Sequence, residues 1–415
     1  MRPDPVTRLN VLLHRGPERE RLPVGRLALS GHRILFEYDS AFVETRLELS
    51  PLKLPLSAGV KEDERRTFDG LFGVFNDSLP DGWGRLLLDR ELRRRGIDPS
   101  TPTPLDRLAH VGDGGMGALA YEPAHDAERL SGAIDLHRLA KESRRVLEGG
   151  TAELLHELFQ LGGSSGGARP KVLVQLSADG REVVAGDDGP RPGFEPYLVK
   201  FSAGSDPKDC GAIEHAYALM AKAAGIEMEE TRLLARDRRH PGYFATRRFD
   251  RRDAERVHVH SLGGLLHADH RIPSLDYDTV LRATRALTRD DRELTRQARR
   301  MAFNVLAHNR DDHAKNFAFA MEADGTWRLT PAYDLTFSDG PRGEHATMVA
   351  GEGAAPGEAQ IAQLAKLHGI GPKAIRTILD EVRAATSRWA SFAIEAGVSK
   401  RSAQRIQKGL SALAR

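Results

Sequence analysis

Residues 304–338 read NVLAHNRDDHAKNFAFAMEADGTWRLTPAYDLTFS, and the rest of the chain is interpreted outward from them. Two tight polar clusters stand in this stretch, Asn309 to Asn316 and Pro331 to Leu335. Asp311 and Asn316 are five positions apart, and Arg310 precedes the aspartate. That is the spacing of a protein-kinase catalytic loop, with Asn309 in the place of its leading histidine. In such a loop the aspartate takes the proton of an attacking hydroxyl, and the asparagine holds a magnesium ion on the phosphates. A second carboxylate must reach the metal from another strand, and Asp334 is placed for it. Asp324-Gly325 between the clusters is a strong hairpin signal. The plainer reading is a solvated charge cluster at a helix end, because short motifs often match by chance. The remainder of the chain decides between the two.

At 415 residues the chain is too long for one ordinary core, so two or three domains are expected. A hydrophobic fraction of 40% and a charged fraction of 29% describe a globular protein. Cys210 is the single cysteine, so no internal disulfide forms, and a reducing, cytoplasmic setting is expected. The N-terminal stretch has no long apolar run or cleavage site. No segment approaches the roughly 18 apolar residues of a membrane span. A net charge of +2 argues against a whole-protein electrostatic grip on nucleic acid.

Residues 9–56 read as β structure. Leu27, Leu29, Ile34, Phe36 and Tyr38 alternate with less apolar neighbours around a turn at Ser30-Gly31, the period of half-buried strands. Leu47 to Leu56 reads as an edge-like extended segment, because its prolines exclude a central strand. A helix runs from Arg85 to Arg95, with Gly96 as its stop. Before it lie Asn76, Asp77 and Asp81, for which turn and capping duty is expected, with a polar site as the alternative. The glycine-dense run Val111 to Gly117 reads as a tight structural turn into a strand. Helical pieces between Leu136 and Leu161 are interrupted at Gly149-Gly150, a natural joint.

Leu161-Gly-Gly-Ser-Ser-Gly-Gly-Ala-Arg-Pro-Lys171 is the second chemical stretch. Small residues let backbone N–H groups close around phosphate oxygens, and the lysine adds charge. It is no Walker A motif, because a strand, Val172 to Leu176, follows Lys171 instead of a helix. A flexible linker over Gly163 to Gly167 is the alternative. Lys200 sits within the strand Phe194 to Ser202, and Glu214 near the start of a helix that ends at Gly225. A kinase pairs such a lysine with both the phosphates and a helix glutamate. A hairpin over Thr231–Ala235 and Tyr243–Arg251 follows, then helices over 274–287, 290–307, 361–367, 372–396 and 400–414. The link His258 to His267 is histidine-rich, and 340–357 reads as a loop over the site.

Assembled, these residues resemble the HipA family of serine/threonine kinases, the toxin halves of bacterial toxin–antitoxin pairs. The Asn76-Asp-Ser-Leu-Pro-Asp-Gly-Trp83 run, Arg248-Phe-Asp-Arg251, Asp311-x-His-Ala-Lys-Asn316-Phe and Pro331-x-Tyr-Asp334 carry the resemblance. It implies an α+β, bilobal protein-kinase-like fold, with a β-rich N-terminal module and N-lobe and a mostly helical C-terminal lobe. The module would span 1–148 and the kinase domain 149–415, divided near 252. Asp311 would be the catalytic base, and Asn316 and Asp334 the magnesium ligands. Gly166, Gly167, Ala168, Arg169 and Lys171 would form the phosphate loop. Lys200, paired with Glu214, would meet the phosphates, and His313 would line the same site. Arg247 and Phe249 would meet the adenine of ATP through their backbone, although Arg247 replaces the acidic residue expected at the hinge. Ser164, or its neighbour Ser165, would be autophosphorylated. The implied partners are a small helix-turn-helix antitoxin of HipB type, through it operator DNA, and a protein substrate such as a translation component; no membrane partner is implied. Two other readings stand beside this one: a small-molecule kinase, and a catalytically silent co-repressor.

Overall fold

The computed structural model describes residues 5–15, 20–125, 130–163, 166–186, 191–237, 240–252 and 255–413. The first sheet is antiparallel and orders its strands Val60–Glu62, Arg33–Tyr38, Glu20–Ser30, Arg8–Arg15 and Leu119–Glu122. The expected alternation buries Leu27, Ile34, Phe36 and Tyr38 on one face. Phe36 packs at 4.8 Å against both Tyr38 and Phe75. Leu47 to Leu56 is not the extended edge. Leu54 N–H donates to Ser50 O at 2.9 Å, closing a compact turn that buries Leu47, Leu49 and Leu54. Burial of three leucines outweighs an exposed edge, and the true edge strand is Val60–Glu62.

A second antiparallel sheet follows, in the order Val183–Ala185, Lys171–Ser177, Phe194–Lys200, Tyr243–Arg247 and Thr231–Leu234. Its core also takes in the helix Gly82–Arg94, whose Trp83, Leu87, Leu88 and Leu92 belong with Leu158, Val172, Val174 and Tyr197. The first sheet instead shares one apolar core with the helical half, through residues such as Phe75, Leu262, Tyr217 and Phe303. The two cores therefore interlock across chain order.

The helical half holds Cys210–Ala223, Tyr277–Thr288, Asp291–Leu306, Glu358–Leu367 and the C-terminal helices. The span expected as one helix from Pro372 to Ala396 is two, Pro372–Thr386 and Trp389–Ala396. The break lets the fully buried Trp389 meet Tyr217, with ring centroids 5.4 Å apart, and donate its Nε1–H to Ala403 O at 3.1 Å. The histidine-rich link is also structured, as the strand His258–Ser261 and the short helix Leu262–Leu266. That strand completes a three-stranded sheet with Ala318–Met321 and Trp327–Leu329, which are joined by the expected hairpin at Asp324-Gly325. Gly325 has φ +86°, a left-handed turn conformation that costs glycine little.

One buried ion cluster ties the first module to the second sheet. Asp250 accepts from Arg248 Nε at 3.0 Å, Arg251 Nη1 at 2.9 Å and Gly117 N–H at 2.7 Å. Arg251 also donates to Gly115 O and Gly117 O. The glycine-dense run is thus a turn, as expected, and its backbone is the socket for Arg251. Burial alone would raise the Asp250 carboxyl, but the two arginines bring it down to about 2.

A carboxyl depressed in the fold stabilises it above the unfolded-state pKa and loses that contribution as pH falls through the folded one. From 3.8 to about 2, Asp250 contributes about 2 kcal/mol at neutral pH. Asp250→Asn should therefore cost about 3–5 kcal/mol at pH 7, because two arginines lose their buried partner. The cost should shrink between pH 4 and pH 2, as read by urea unfolding at each pH.

Candidate active site

Lys171 and Lys200 are direct partners on adjacent strands, so both side chains enter one cleft. Two buried ammonium groups repel each other, and carboxylates must offset them. Lys200 Nζ lies 2.5 Å from Glu214 Oε1 and 2.6 Å from Asp334 Oδ1. Glu214 comes from the helix Cys210–Ala223, and Asp334 from the segment after the hairpin. Burial would lower the Lys200 ammonium, but Asp334 and Glu214 raise it above its ordinary value. Burial would likewise raise Asp334, yet Lys200 and then Lys171 hold its carboxyl well below the usual range. Among the described residues the Lys171 ammonium meets a carbonyl and not a carboxylate. It donates to Gly166 O, and burial followed by the Lys200 charge pushes it down to about 8.

The floor is formed from the loop Asn309 to Asn316. Asn316 Nδ2 donates back to Asp311 O at 2.7 Å, closing the loop on itself. Asp311 itself is exposed and is not among the residues that line the cavity. Its carboxyl is raised, first by desolvation, and the nearby Asp334 and Asp312 charges add to this while His313 opposes it. Asp312, by contrast, is buried and acts as a pin. It accepts from Tyr277 OH at 3.0 Å and from Thr347 N–H at 3.2 Å, and its Oδ2 lies 2.9 Å from His345 Nδ1. Asn304 and Asn309 extend this network, at 2.8 and 2.9 Å. Asn309, in the place of the leading histidine, is thus a buried structural partner. Asp334 has φ +56°, uncommon for a residue other than glycine, and this turn directs its carboxylate at Lys200.

The cavity above this floor measures about 250 Å³ and takes in Gly166, Gly167, Lys171, Lys200, Glu214, His313, Asn316 and Asp334. Arg247 and Phe249 line it as well. The Arg247 N–H is engaged by Glu230 O at 2.9 Å, and its carbonyl accepts from Thr246 Oγ1 at 3.4 Å. Its guanidinium is directed to Glu229 and Glu195, at 2.9 and 3.4 Å. The Phe249 ring stacks on Tyr333, centroids 5.7 Å apart. Arg169 is held by Asp206 at 3.3 Å and Glu214 at 3.7 Å. Ser164 and Ser165 lie outside the described residues.

Three aspartates were not legible in sequence. Asp312 is one. Asp77 and Asp81, read as turn or cap residues, are the others, and neither caps a helix with its side chain. Asp77 accepts from Ser261 N–H at 2.7 Å and lies 2.6 Å from His260 Nδ1. His260 Nε2 in turn lies 2.9 Å from Ser50 Oγ. This is a Ser–His–Asp chain, but Ser50 and His260 are 1% and 0% exposed, so it works as an internal strut. Asp81 meets Lys315 at 2.5 Å and accepts from Gly167 N–H. The only sequence signal for either residue was the run that contains both.

The residues fit a nucleotide and a magnesium ion. Gly167 has φ +86°, a left-handed conformation in which a side chain is strained whatever the space around it. His313 lines the same cavity, and its buried Nδ1 has no hydrogen-bond partner among the described residues. Among the described residues no cluster of three or more His, Cys, Asp or Glu side chains could hold a metal by itself. Magnesium needs no such cage, since it is bound by one or two protein oxygens, phosphates and water. Asn316 and Asp334 match that share.

The family model of the HipA-like C-terminal domain matches residues 163–389, and that of the HipA N-terminal domain matches residues 19–122. No curated protein matches the chain. A solved structure of Shewanella oneidensis MR-1 HipA, in complex with HipB and operator DNA, aligns over 98% of this chain and 96% of its own. Its TM-score is 0.67 at 17% identity, which shows a shared fold. The Helicobacter pylori proinflammatory kinase CtkA aligns over 57% of this chain and 95% of its own, at 13% identity and a TM-score of 0.33. No helix among the described residues is long and apolar enough to cross a membrane.

Lys171 gives the site a pH signature. Below about pH 8 its ammonium is charged and attracts phosphate; above, binding must first take up a proton. Affinity for ATP or tripolyphosphate should therefore fall about tenfold between pH 7 and pH 9. Calorimetric titration should show that fall in the parent and its loss in Lys171→Met.

Proposed function

The chain belongs to the HipA family, and from that premise we propose that it is an ATP- and magnesium-dependent serine/threonine protein kinase, the growth-arresting toxin of a toxin–antitoxin pair. One observation carries the reading. Lys200 bridges Glu214 and Asp334 in a cleft that Asn316 also lines, and the Asn316 side chain donates to the Asp311 carbonyl at 2.7 Å.

Bound there, ATP supplies the phosphoryl group, and magnesium neutralises charge on its phosphates. Gly166, Gly167 and Lys171 hold the phosphates from above, and Lys200 from the side. Glu214 keeps Lys200 extended, so little ordering remains to be done when the nucleotide binds. Asn316 and Asp334 hold the metal. The Arg247 carbonyl and the Phe249 backbone face the adenine edge. Asp311 orients the substrate hydroxyl and takes its proton. Its raised pKa suits that task, because a base nearer the working pH transfers protons more effectively. Asp312 and its partners fix the loop, so that Asp311 stays aimed while the substrate comes and goes.

The partners follow from the relative of known assembly. The Shewanella protein was solved with HipB and operator DNA, and this chain is proposed to pair likewise with a small helix-turn-helix antitoxin and, through it, with operator DNA. Its substrate is a cytoplasmic protein, with translation components the first to examine. The single cysteine suits a reducing cytoplasm. Ser164 or Ser165, set among four glycines, is proposed as the autophosphorylation site, since a phosphoserine there competes with ATP for the same backbone donors.

The test is incubation of the purified protein with labelled ATP, magnesium and a cell extract. Asp311→Ala should lose phosphoryl transfer by about 10²–10⁴-fold while nucleotide affinity stays near the parent's. Full activity of that variant ends the assignment. Asp334→Ala should instead weaken nucleotide binding in the presence of magnesium, and an unchanged affinity removes Asp334 from the metal. After ATP treatment, mass spectrometry should find phosphate on Ser164 or Ser165 in the parent and none in Asp311→Ala.

A further inference from the structure

The glycine loop is held from a direction that the kinase domain does not supply. Asp81, Gly82 and Trp83 belong to the N-terminal module, yet all three engage this loop. The Asp81 carboxylate accepts from Gly167 N–H through Oδ1, while its Oδ2 lies 2.5 Å from Lys315 Nζ of the catalytic loop. Trp83 N–H donates to Gly167 O at 2.8 Å, and the indole Nε1–H donates to Lys171 O at 3.1 Å. A Cβ on Gly82 would lie 2.4 Å from Gly167 O, so the approach requires glycine there. Burial would raise the Asp81 carboxyl, but Lys315 and the Gly167 donor lower it, and His270 stands 3.9 Å away on the same oxygen.

We infer that Asp81 is a positioning residue for phosphoryl transfer: one carboxylate, supplied by the N-terminal module, couples the glycine loop above the nucleotide to the catalytic loop below it. This inference deepens the kinase reading and rests on it for the reaction. Its physical basis is a two-point bridge. Loop residues with few packing partners are mobile by default, and glycines make them more so. The phosphate cradle and Asp311 come from segments nearly 150 residues apart, and only a group bound to both fixes their spacing. Misplacement by about 1 Å costs about a hundredfold in rate. Asp81 sits beside the phosphates and is itself anionic, but Lys315 compensates its charge. Removing the carboxylate therefore loosens the alignment without depriving ATP of an attractive contact.

The test uses the full-length protein as Asp81→Asn, Asp81→Ala, Lys315→Met and the double variant Asp81→Asn/Lys315→Met. In Asp81→Asn, kcat should fall about 10–100-fold while the KM for ATP stays unchanged or drops. Because Asp81 acts through Lys315, adding Asp81→Asn to Lys315→Met should cost less than threefold more. Amide hydrogen exchange of the ATP-free protein gives a readout independent of activity. In Asp81→Ala the peptide covering 166–169 should exchange at least tenfold faster while Val172–Leu176 keeps its protection, a pattern that global destabilisation does not produce. Unchanged exchange at 166–169 overturns the inference, as do losses that multiply in the double variant. If the parent transfers no phosphate at all, the kinase reading fails by itself, and the exchange measurement still decides whether Asp81 clamps the loop.

Discussion

Two lysines placed face to face on neighbouring strands impose the constraint on which the cleft depends. Lys171 and Lys200 cannot both carry charge in a buried space unless carboxylates come to them, and Glu214 and Asp334 come from two other parts of the chain. A buried ion pair gains little net stability once desolvation is counted. What it supplies is an aligned site: removing one member leaves the others uncompensated, so the helix, the strand and the segment after the hairpin are held to one geometry. The asymmetry between the lysines follows from it. Lys200 is saturated and holds its proton firmly, whereas Lys171 has its ammonium on a carbonyl and gives up its proton more readily, near pH 8.

The N-terminal module is built into the catalytic half and is not appended to it. Its helix Gly82–Arg94 lies in the apolar core of the nucleotide-side sheet, while its own sheet shares a core with the helical half. Polar ties run along the same seam, from Asp250 to the Gly117 turn, from Asp77 to Ser261 and His260, and from Asp81 to Lys315. Cutting the chain at a module boundary would expose apolar surface on both products, and the glycine loop would lose its contact with Trp83.

Asp311 and Asp312 show how two adjacent, identical residues take opposite roles. Asp312 is buried and held by Tyr277, His345 and Thr347, whereas Asp311 is exposed and its carboxyl is raised, first by desolvation. Adjacent in sequence, one is buried and anchors the loop while the other is left exposed.

By itself the sequence determined whatever depends on local spacing. The D-x-x-x-x-N loop, the Asp324-Gly325 hairpin, the strand after the glycine run, the alternating apolar residues from Leu27 to Tyr38 and the inward Glu214 all rest on periodicity or turn chemistry over a few residues, and each has the structure so expected. Only the tertiary structure decided the rest, because it depends on pairings between distant segments. Leu47 to Leu56 curled inward once a core existed to receive three leucines, and the helix expected through Ala396 broke so that Trp389 could reach Tyr217. Asp77, Asp81 and Asp312 have partners at separations of 184, 234 and 35 residues, and no local pattern encodes such a contact. In the sequence an aspartate beside glycine and proline is a turn residue; in the fold it can be the group that holds two loops of a cleft at one spacing.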